Sequence, residues 1–443
     1  MRQKPSRPRL LQAMIDAFSL PDLRRRILIT VGILVVFRFI SHIPLPGLNA
    51  DALSKLFDPE SSALGGVLGM LNLFSGGAMK QFSVASMGVY PYITASIIII
   101  LLVPVIPKLQ ALSQEGEAGK NKINLITHWL TVPLAGLSGY GQLVILQRSG
   151  AVDLSQASNI PLITTTIVLS LIAGTMFLVW LGELITEYGI GNGISIIIFG
   201  GIVAGYPQMI IEGYVARGNP VGLIAYIAIV LITVVLIVIF TEAHRRVPVQ
   251  YARSVFRGGR MYRQAGTTHI PLRVNSSGMI PLIFSMSVML FPGIVASYFD
   301  SGEGFAHSIV LWFSPNTDLW IGAFYWIFYF ILSVAFTFFY TIITYQQQDL
   351  PGTLQKQGGF VPGIRPGKNT ASYLSSVINR ITWAGALFLG FVAVMPFLAR
   401  TFTNVTQIQL SSLGMLIVVG VVLDTMKQLE AQLVMRRYEG FIK

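Results

Sequence analysis

"NLFSGGAMKQFS", residues 72–83, lies between two long apolar runs. It is too polar, and too broken by Gly76 and Gly77, to be the middle of a membrane span. The apolar residues ahead of it, Val67 to Phe74, are too few to cross a bilayer by themselves. A short, half-apolar, double-glycine segment in this position needs another explanation, and the rest of the chain has to supply it.

Of the 443 residues, 53% are hydrophobic and 11% are charged. Soluble domains carry roughly 25% charged residues. The missing charge is replaced by apolar runs, so the composition is that of a polytopic membrane protein. There is no cysteine, which excludes disulfides, thiolate metal sites and cysteine nucleophiles. His42, His128, His244, His269 and His307 form no i, i+4 pair, which argues against a histidine metal site on one helix. The N-terminus is basic and polar for about 26 residues, and the first apolar run lacks a small-residue cleavage site, so no cleavable signal peptide is evident.

A hydrocarbon core of about 30 Å needs about 20 apolar residues in a helix. Ten runs qualify: 27–43, 84–107, 125–147, 162–182, 193–214, 222–241, 275–299, 319–344, 381–399 and 410–427. The run 193–214 is the weakest, being interrupted by Gly200, Gly201, Gly205 and Pro207. Numbering the connections alternately, one set (both termini and segments 108–122, 242–273 and 345–380) holds 25 Lys and Arg, and the other holds 5. By the positive-inside rule, the richer set is cytoplasmic. Ten spans with both termini cytoplasmic follow, and residues 72–83 face outward. Five spans in each half would set the halves in opposite orientations, the topology of many transport proteins.

The spans are almost bare of the carboxylates and histidines that ion-coupled transporters use as relays. Arg38 lies near the outer end of the first span, where a long side chain can snorkel. Asp424, Glu183 and Glu187 lie near cytoplasmic span ends and read as interfacial charges with local partners. Enzyme signatures such as GxSxG, HExxH or a P-loop are absent, and Ser195 has no histidine near it on a helical face. The glycines of "EYGIGNGISIIIFGGIVAG", 187–205, suit either close helix packing or a span that lines a pathway. Two long cytoplasmic loops stand out. Residues 245–275 carry seven arginines interleaved with aromatics, and 345–370 are rich in Gly and Pro and contain the turn PGIRPG. Anionic lipid, RNA backbone or an acidic protein would each suit such loops.

"FRFISHIPLPG", "FSGGA", "YPYITASIII", "GIGNGISIIIFGGIVAG", "THIPLRVN" and "FVPGIRPG" occur in this order. Together they closely resemble the SecY/Sec61-alpha family, the channel-forming subunits of Sec protein translocases. The resemblance covers residues from about 20 to 430. It implies an all-α polytopic membrane protein of ten transmembrane helices in two pseudo-symmetric inverted halves of five, with a short re-entrant plug helix. The expected parts are a cytoplasmic N-terminus (1–26), an N-terminal half (27–214), a C-terminal half (215–427, with cytoplasmic loops 242–274 and 345–380) and a cytoplasmic tail (428–443). It also implies a bacterial plasma-membrane location and a passive channel with no enzymatic activity, metal or cofactor. The expected partners are SecE and SecG, the SecA ATPase, the ribosome, signal-peptide-bearing preproteins and nascent membrane proteins, and membrane lipids. The rival reading is a secondary transporter of small solutes built from inverted repeats. A purely structural membrane scaffold leaves the plug-like segment unexplained.

The resemblance also assigns residues. Segment 65–77 becomes the plug, with Val67, Leu68, Met70, Leu71, Leu73 and Phe74 apolar and Ser75, Gly76 and Gly77 as its hinge. Eight residues make about 12 Å of helix, too short to span but long enough to fill a cavity. A surface helix on the outer leaflet is the alternative for this segment. An apolar pore ring is implied at Val89, Ile93, Ile194, Ile198, Ile283 and Ile417. Val89 stands where the family often has isoleucine. Lateral-gate positions are Thr94, Ile100, Asn275 and Ser276, Ile100 standing where the family often has glutamine. SecA and ribosome docking would fall to Arg253, Arg257, Arg260, Arg365 and Lys368, although both loops depart from the usual family sequence around these residues.

Overall fold

Proline opens helix after helix in this chain, because its missing N–H and fixed φ suit the first turn. Pro21 begins α1 (Pro21–Ile40), Pro91 lies in the first turn of α2 (Tyr90–Leu102), Pro107 begins α3 (Pro107–Gln114) and Pro161 lies in the first turn of α5 (Ile160–Tyr188). The other helices are α4 (Glu117–Arg148), α6 (Gly193–Val215), α7 (Pro220–Glu242), α8 (Ile280–Ser297), α9 (Phe305–Trp312), α10 (Leu319–Gln348), α11 (Leu350–Lys356), α12 (Lys368–Thr403) and α13 (Ser412–Glu439). The computed structural model describes residues 18, 20–49, 52–53, 56–57, 68–69, 72, 75–152, 159–215, 220–257, 260–297, 299, 304–313, 319–348, 350–403 and 412–439. Most of the expected cytoplasmic N-terminus, and the plug positions Val67, Met70, Leu71, Leu73 and Phe74, lie outside these residues.

Every one of the ten apolar runs contains a helix. Among the described residues, Glu117–Arg148, Ile160–Tyr188, Gly322–Lys356 and Lys368–Ala399 are long and apolar enough to cross a membrane. Two runs differ from continuous helices. In 84–107, turns occupy Val84–Val89, the helix covers only Tyr90–Leu102, and α3 then departs at 101°. Pro104 and Pro107 account for the break, since proline removes a donor and its ring clashes with the preceding turn. In 275–299, the helix starts only at Ile280. The run 193–214, the weakest in sequence, forms one helix despite its glycines and Pro207.

A three-stranded antiparallel sheet, absent from the sequence reading, joins the two long loops. β1 (His244–Arg257) pairs with β2 (Arg260–Arg273) from His244↔Arg273 to Arg257↔Arg260, and β3 (Gly359–Phe360) adds to the other edge of β1 through Gln250↔Phe360. Val247, Val249 and Leu272 pack with Leu354, Val361, Leu374 and Val377 in one core beneath the sheet.

The chain divides into two compact units, residues 1–220, 287–325 and 406–443 in one and 221–286 and 326–405 in the other. In the first, Phe82, Leu143, Leu146, Ile167 and Leu171 are fully buried in a shared core. The α5–α6 connection there is very tight. Thr186 Oγ1 accepts the Gly193 N–H at 2.9 Å and donates to the Gly182 carbonyl at 3.0 Å. Gly191 supplies the left-handed turn at φ 84°. In the second unit, the rings of Phe240 (α7) and Phe388 (α12) stack with centroids 4.0 Å apart.

Candidate functional site

The hinge Ser75-Gly76-Gly77 is a hydrogen-bonded turn. The Ser75 hydroxyl donates to the Asn72 carbonyl (3.0 Å) and accepts the Met79 N–H (3.2 Å). The Gly77 N–H also donates to the Asn72 carbonyl (3.0 Å), and the Lys80 N–H to Asn72 Oδ1 (3.2 Å). Gly76 and Gly77 take φ of 65° and 88°, values that disfavour side chains. A single 3₁₀ turn, Ala78–Gln81, follows, and Phe82 closes it at φ 40°. Leu68 is buried and Gly69 half-buried.

Glycine permits the seat beneath this turn. A Cβ on Gly76 would fall 2.6 Å from the Gly201 Cα, and a Cβ on Gly201 would fall 2.5 Å from the Gly76 Cα. Gly200 beside it receives Leu34 of α1, whose Cδ2 would lie 2.8 Å from an added Cβ. Gly200 and Gly201 thus serve close packing, whereas Gly205 faces open space. Arg38, instead of reaching outward, donates from Nη1 to the Gly76 carbonyl at 2.9 Å.

Of the six pore-ring positions, Val89, Ile93, Ile194, Ile198 and Ile417 belong to the first unit and Ile283 to the second. Val89, Ile198, Ile283 and Ile417 are buried, and Ile93 and Ile194 half-buried. Val89 caps α2, and the Ile93 N–H donates to its carbonyl, so both fall on one face. Ile194 and Ile198 repeat that spacing on α6. Ile194 also packs on Gly182, where an added Cβ would lie 2.9 Å from its Cγ1.

Thr94 and Ile100 lie half-buried on α2, the Thr94 hydroxyl donating to the Tyr90 carbonyl. Asn275 and Ser276 lie in the bend before α8, not on the helix. Ser276 donates to the Arg273 carbonyl at 2.7 Å, and Asn275 is buried and accepts from Ser277 at 3.4 Å.

Glu183 has local partners across three helices. Asn124 donates to it at 3.3 Å, and Tyr92 donates to Asn124 at 3.1 Å. His128 Nε2 lies 3.1 Å from the Glu183 carboxylate without hydrogen-bond alignment. Among the described residues, no group of three His, Asp or Glu side chains is placed to hold a metal ion.

The candidate docking positions all belong to the second unit. The register places positions 253, 257 and 260 toward the hairpin's far end, where Arg257 pairs with Arg260. Fourteen residues of strand reach about 46 Å. Arg365 is exposed in the turn that leads into α12, and Lys368, also exposed, is the first residue of that helix. Gly363 (φ 82°) and Gly367 (φ 100°) shape that turn, and the Thr370 hydroxyl fixes it by donating to the Arg365 carbonyl at 3.0 Å. The hairpin itself was signalled in sequence by Gly258-Gly259 between alternating strands.

The SecY family model matches residues 83–426 of this chain. The chain belongs to the SecY family. Protein translocase subunit SecY of Streptomyces scabiei is 42% identical over 447 residues, covering 98% of this chain and 100% of that protein. The Thermotoga maritima subunit is 40% identical over 434 residues, covering 98% of each. Among solved structures, one described as a protein conducting channel aligns at TM-score 0.65 and 16% identity, over 95% of this chain and 97% of that one. Sec61 in the canine ribosome-channel complex aligns at TM-score 0.63 and 16% identity, with the same coverage. A SecY structure whose plug domain is described as stabilising the closed state aligns at TM-score 0.63 and 17% identity. At these identities, the structural matches establish the SecY fold.

Proposed function

We propose that this chain is the channel-forming subunit of a bacterial protein translocase. It conducts unfolded polypeptides across the plasma membrane and releases signal peptides and nascent spans sideways into lipid. The observation that carries the reading is the relation to SecY subunits along 98% of the chain. The turn at residues 75–77, in which Ser75 and Gly76 are buried, with Leu68 buried ahead of it, adds structural support.

In this reading, ten spans in two inverted halves surround the path, with both termini cytoplasmic. Val89, Ile93, Ile194, Ile198, Ile283 and Ile417 form an apolar ring that excludes ions by dewetting and closes around a passing chain. The plug covers the ring from outside. A passing apolar helix leaves between Thr94 and Ile100 on one side and Asn275 and Ser276 on the other. It enters lipid at about 0.8 kcal/mol per buried CH₂. The hairpin arginines Arg253, Arg257 and Arg260, with Arg365 and Lys368, dock the ribosome or SecA. SecE and SecG complete the complex, and SecA, the ribosome or the proton-motive force supplies the energy.

The test is protease protection of a signal-peptide-bearing precursor in proteoliposomes holding the chain with SecE, SecA and ATP. Protection that needs every component supports the channel. No protection, with uptake of a small solute down an ion gradient, would favour a secondary transporter.

A further inference from the structure

We propose that Thr30 and Leu429 are positioning residues that clasp the α5–α6 turn from two sides and so set the place of α6; the effect on sealing rests on the ring reading above. The helices concerned, α1, α5, α6 and α13, all belong to the first unit. The clasp closes on Gly189-Ile190-Gly191. From one side, the Ile190 N–H donates to Thr30 Oγ1 of α1 at 3.2 Å, and that hydroxyl donates to the Arg26 carbonyl at 3.0 Å. A Cβ on Gly189 would fall 2.5 Å from the same Oγ1, so the turn lies directly against it. From the other side, a Cβ on Gly191 would fall 3.2 Å from Thr425 Oγ1 of α13. Ile190 is buried in a small core with Leu23 of α1 and Leu429 of α13, and Met426 and Leu433 pack against it.

Leu429 is the informative member. It lies beyond the last apolar run, in the stretch that the sequence suggests is a tail. Instead, α13 continues unbroken to Glu439, and Leu429 is 7% exposed. Met426, Leu429 and Leu433 are spaced three and four apart, so one face of the helix meets the turn. The turn has little slack to absorb a displacement. Thr186 Oγ1 holds the Gly193 N–H, and the Asn192 side chain accepts the Ser195 N–H at 3.1 Å, which caps α6 rigidly. Ile194 follows Gly193 directly, and Ile198 lies one helical turn further on. A shift of residues 189–191 therefore carries into both. Ile417 stands on α13 itself, about 12 Å of helix from Thr425. The same clasp thus sets Ile194, Ile198 and Ile417 relative to one another.

The test uses the complete translocase in proteoliposomes, without SecA or precursor. The native chain has no cysteine, so introduced cysteines are labelled cleanly. Spin labels at Leu169 of α5 and Val203 of α6, both exposed, report the position of α6, and labels at Leu137 of α4 and Leu169 serve as the control pair. Resting ion conductance reports the seal. Thr30→Val keeps the shape of the side chain and leaves the Ile190 N–H without its acceptor. It should broaden the 169–203 distances, leave the 137–169 distances unchanged and raise conductance about fivefold. Thr30→Ser should behave as wild type, and Leu429→Ala should follow Thr30→Val. Ending the chain after Met435 should change nothing, whereas ending it after Lys427 should change both the 169–203 distances and the conductance. Wild-type 169–203 distances in Thr30→Val and Leu429→Ala overturn the clasp. So does a change at the control pair, which marks general loosening, or a change on ending the chain after Met435. Broadened 169–203 distances with wild-type conductance keep the clasp and overturn the ring reading instead.

Discussion

Phe82 should show an inverted preference between alanine and glycine. It is fully buried and is the sole described non-glycine residue with positive φ, at 40°. Its side chain packs among Leu45, Leu53, Met87, Leu143 and Leu146. Removing a buried phenylalanine ring costs about 3–5 kcal/mol. The left-handed backbone costs a non-glycine residue roughly 1–2 kcal/mol, which Phe82→Ala retains and Phe82→Gly relieves. In ordinary helix interiors, glycine is worse than alanine by about 1 kcal/mol. At this position, Phe82→Gly should instead be the milder change, by about 1 kcal/mol. Apparent unfolding free energies of the purified complex in mixed micelles would measure the difference. Both variants should leak ions at rest, because each empties the buried space that the Phe82 ring fills beside the turn. If Phe82→Gly proved less stable than Phe82→Ala by about 1 kcal/mol, the ring would not be what holds this backbone conformation, and the reasoning would fail.

Arg365→Glu should reduce SecA-driven precursor protection by at least about tenfold without altering the melting temperature, since the exposed side chain has no packing role and only its carbonyl is used internally; normal translocation would remove the docking role. Gly174→Ala would set its methyl on the Val84 carbonyl where α5 passes the segment before α2, and should destabilise the protein by about 1–3 kcal/mol, read as a lower unfolding midpoint. Deleting residues 67–74 should increase resting ion conductance while precursors still cross; an unchanged conductance would mean that this segment does not seal the channel.

Much of the architecture was legible because bilayer thickness acts directly on sequence: each apolar run of adequate length contains a helix. Proline was readable as a helix start, yet its power to break was underestimated at Pro104 and Pro107, where the second run ends and turns by 101°. The hairpin was missed for a different reason. Its seven arginines dominated the reading, whereas the alternation of Val247, Val249 and Tyr251 before Gly258-Gly259 carried the strand signal. Its third strand, Gly359–Phe360, is too short to have any signal of its own.

The hinge seat marks where single-chain reading stops. Gly76 announced a turn, because only glycine is at ease at φ 65°. Gly201 announced nothing specific, since a glycine in an apolar helix fits close packing against any neighbour. Its requirement is a distance: the Gly76 backbone approaches where a Cβ would be 2.5 Å from a Cα. That partner is far away in sequence, and no periodicity connects the two. Arg38 is similar. Chain position near the outer end of α1 favours snorkelling, and the inward direction depends on a carbonyl freed by the turn at Gly76. A turn that bends its backbone out of regular pairing leaves such carbonyls needing donors, so a cation within an apolar helix is best weighed against nearby turns before it is assigned to the membrane surface.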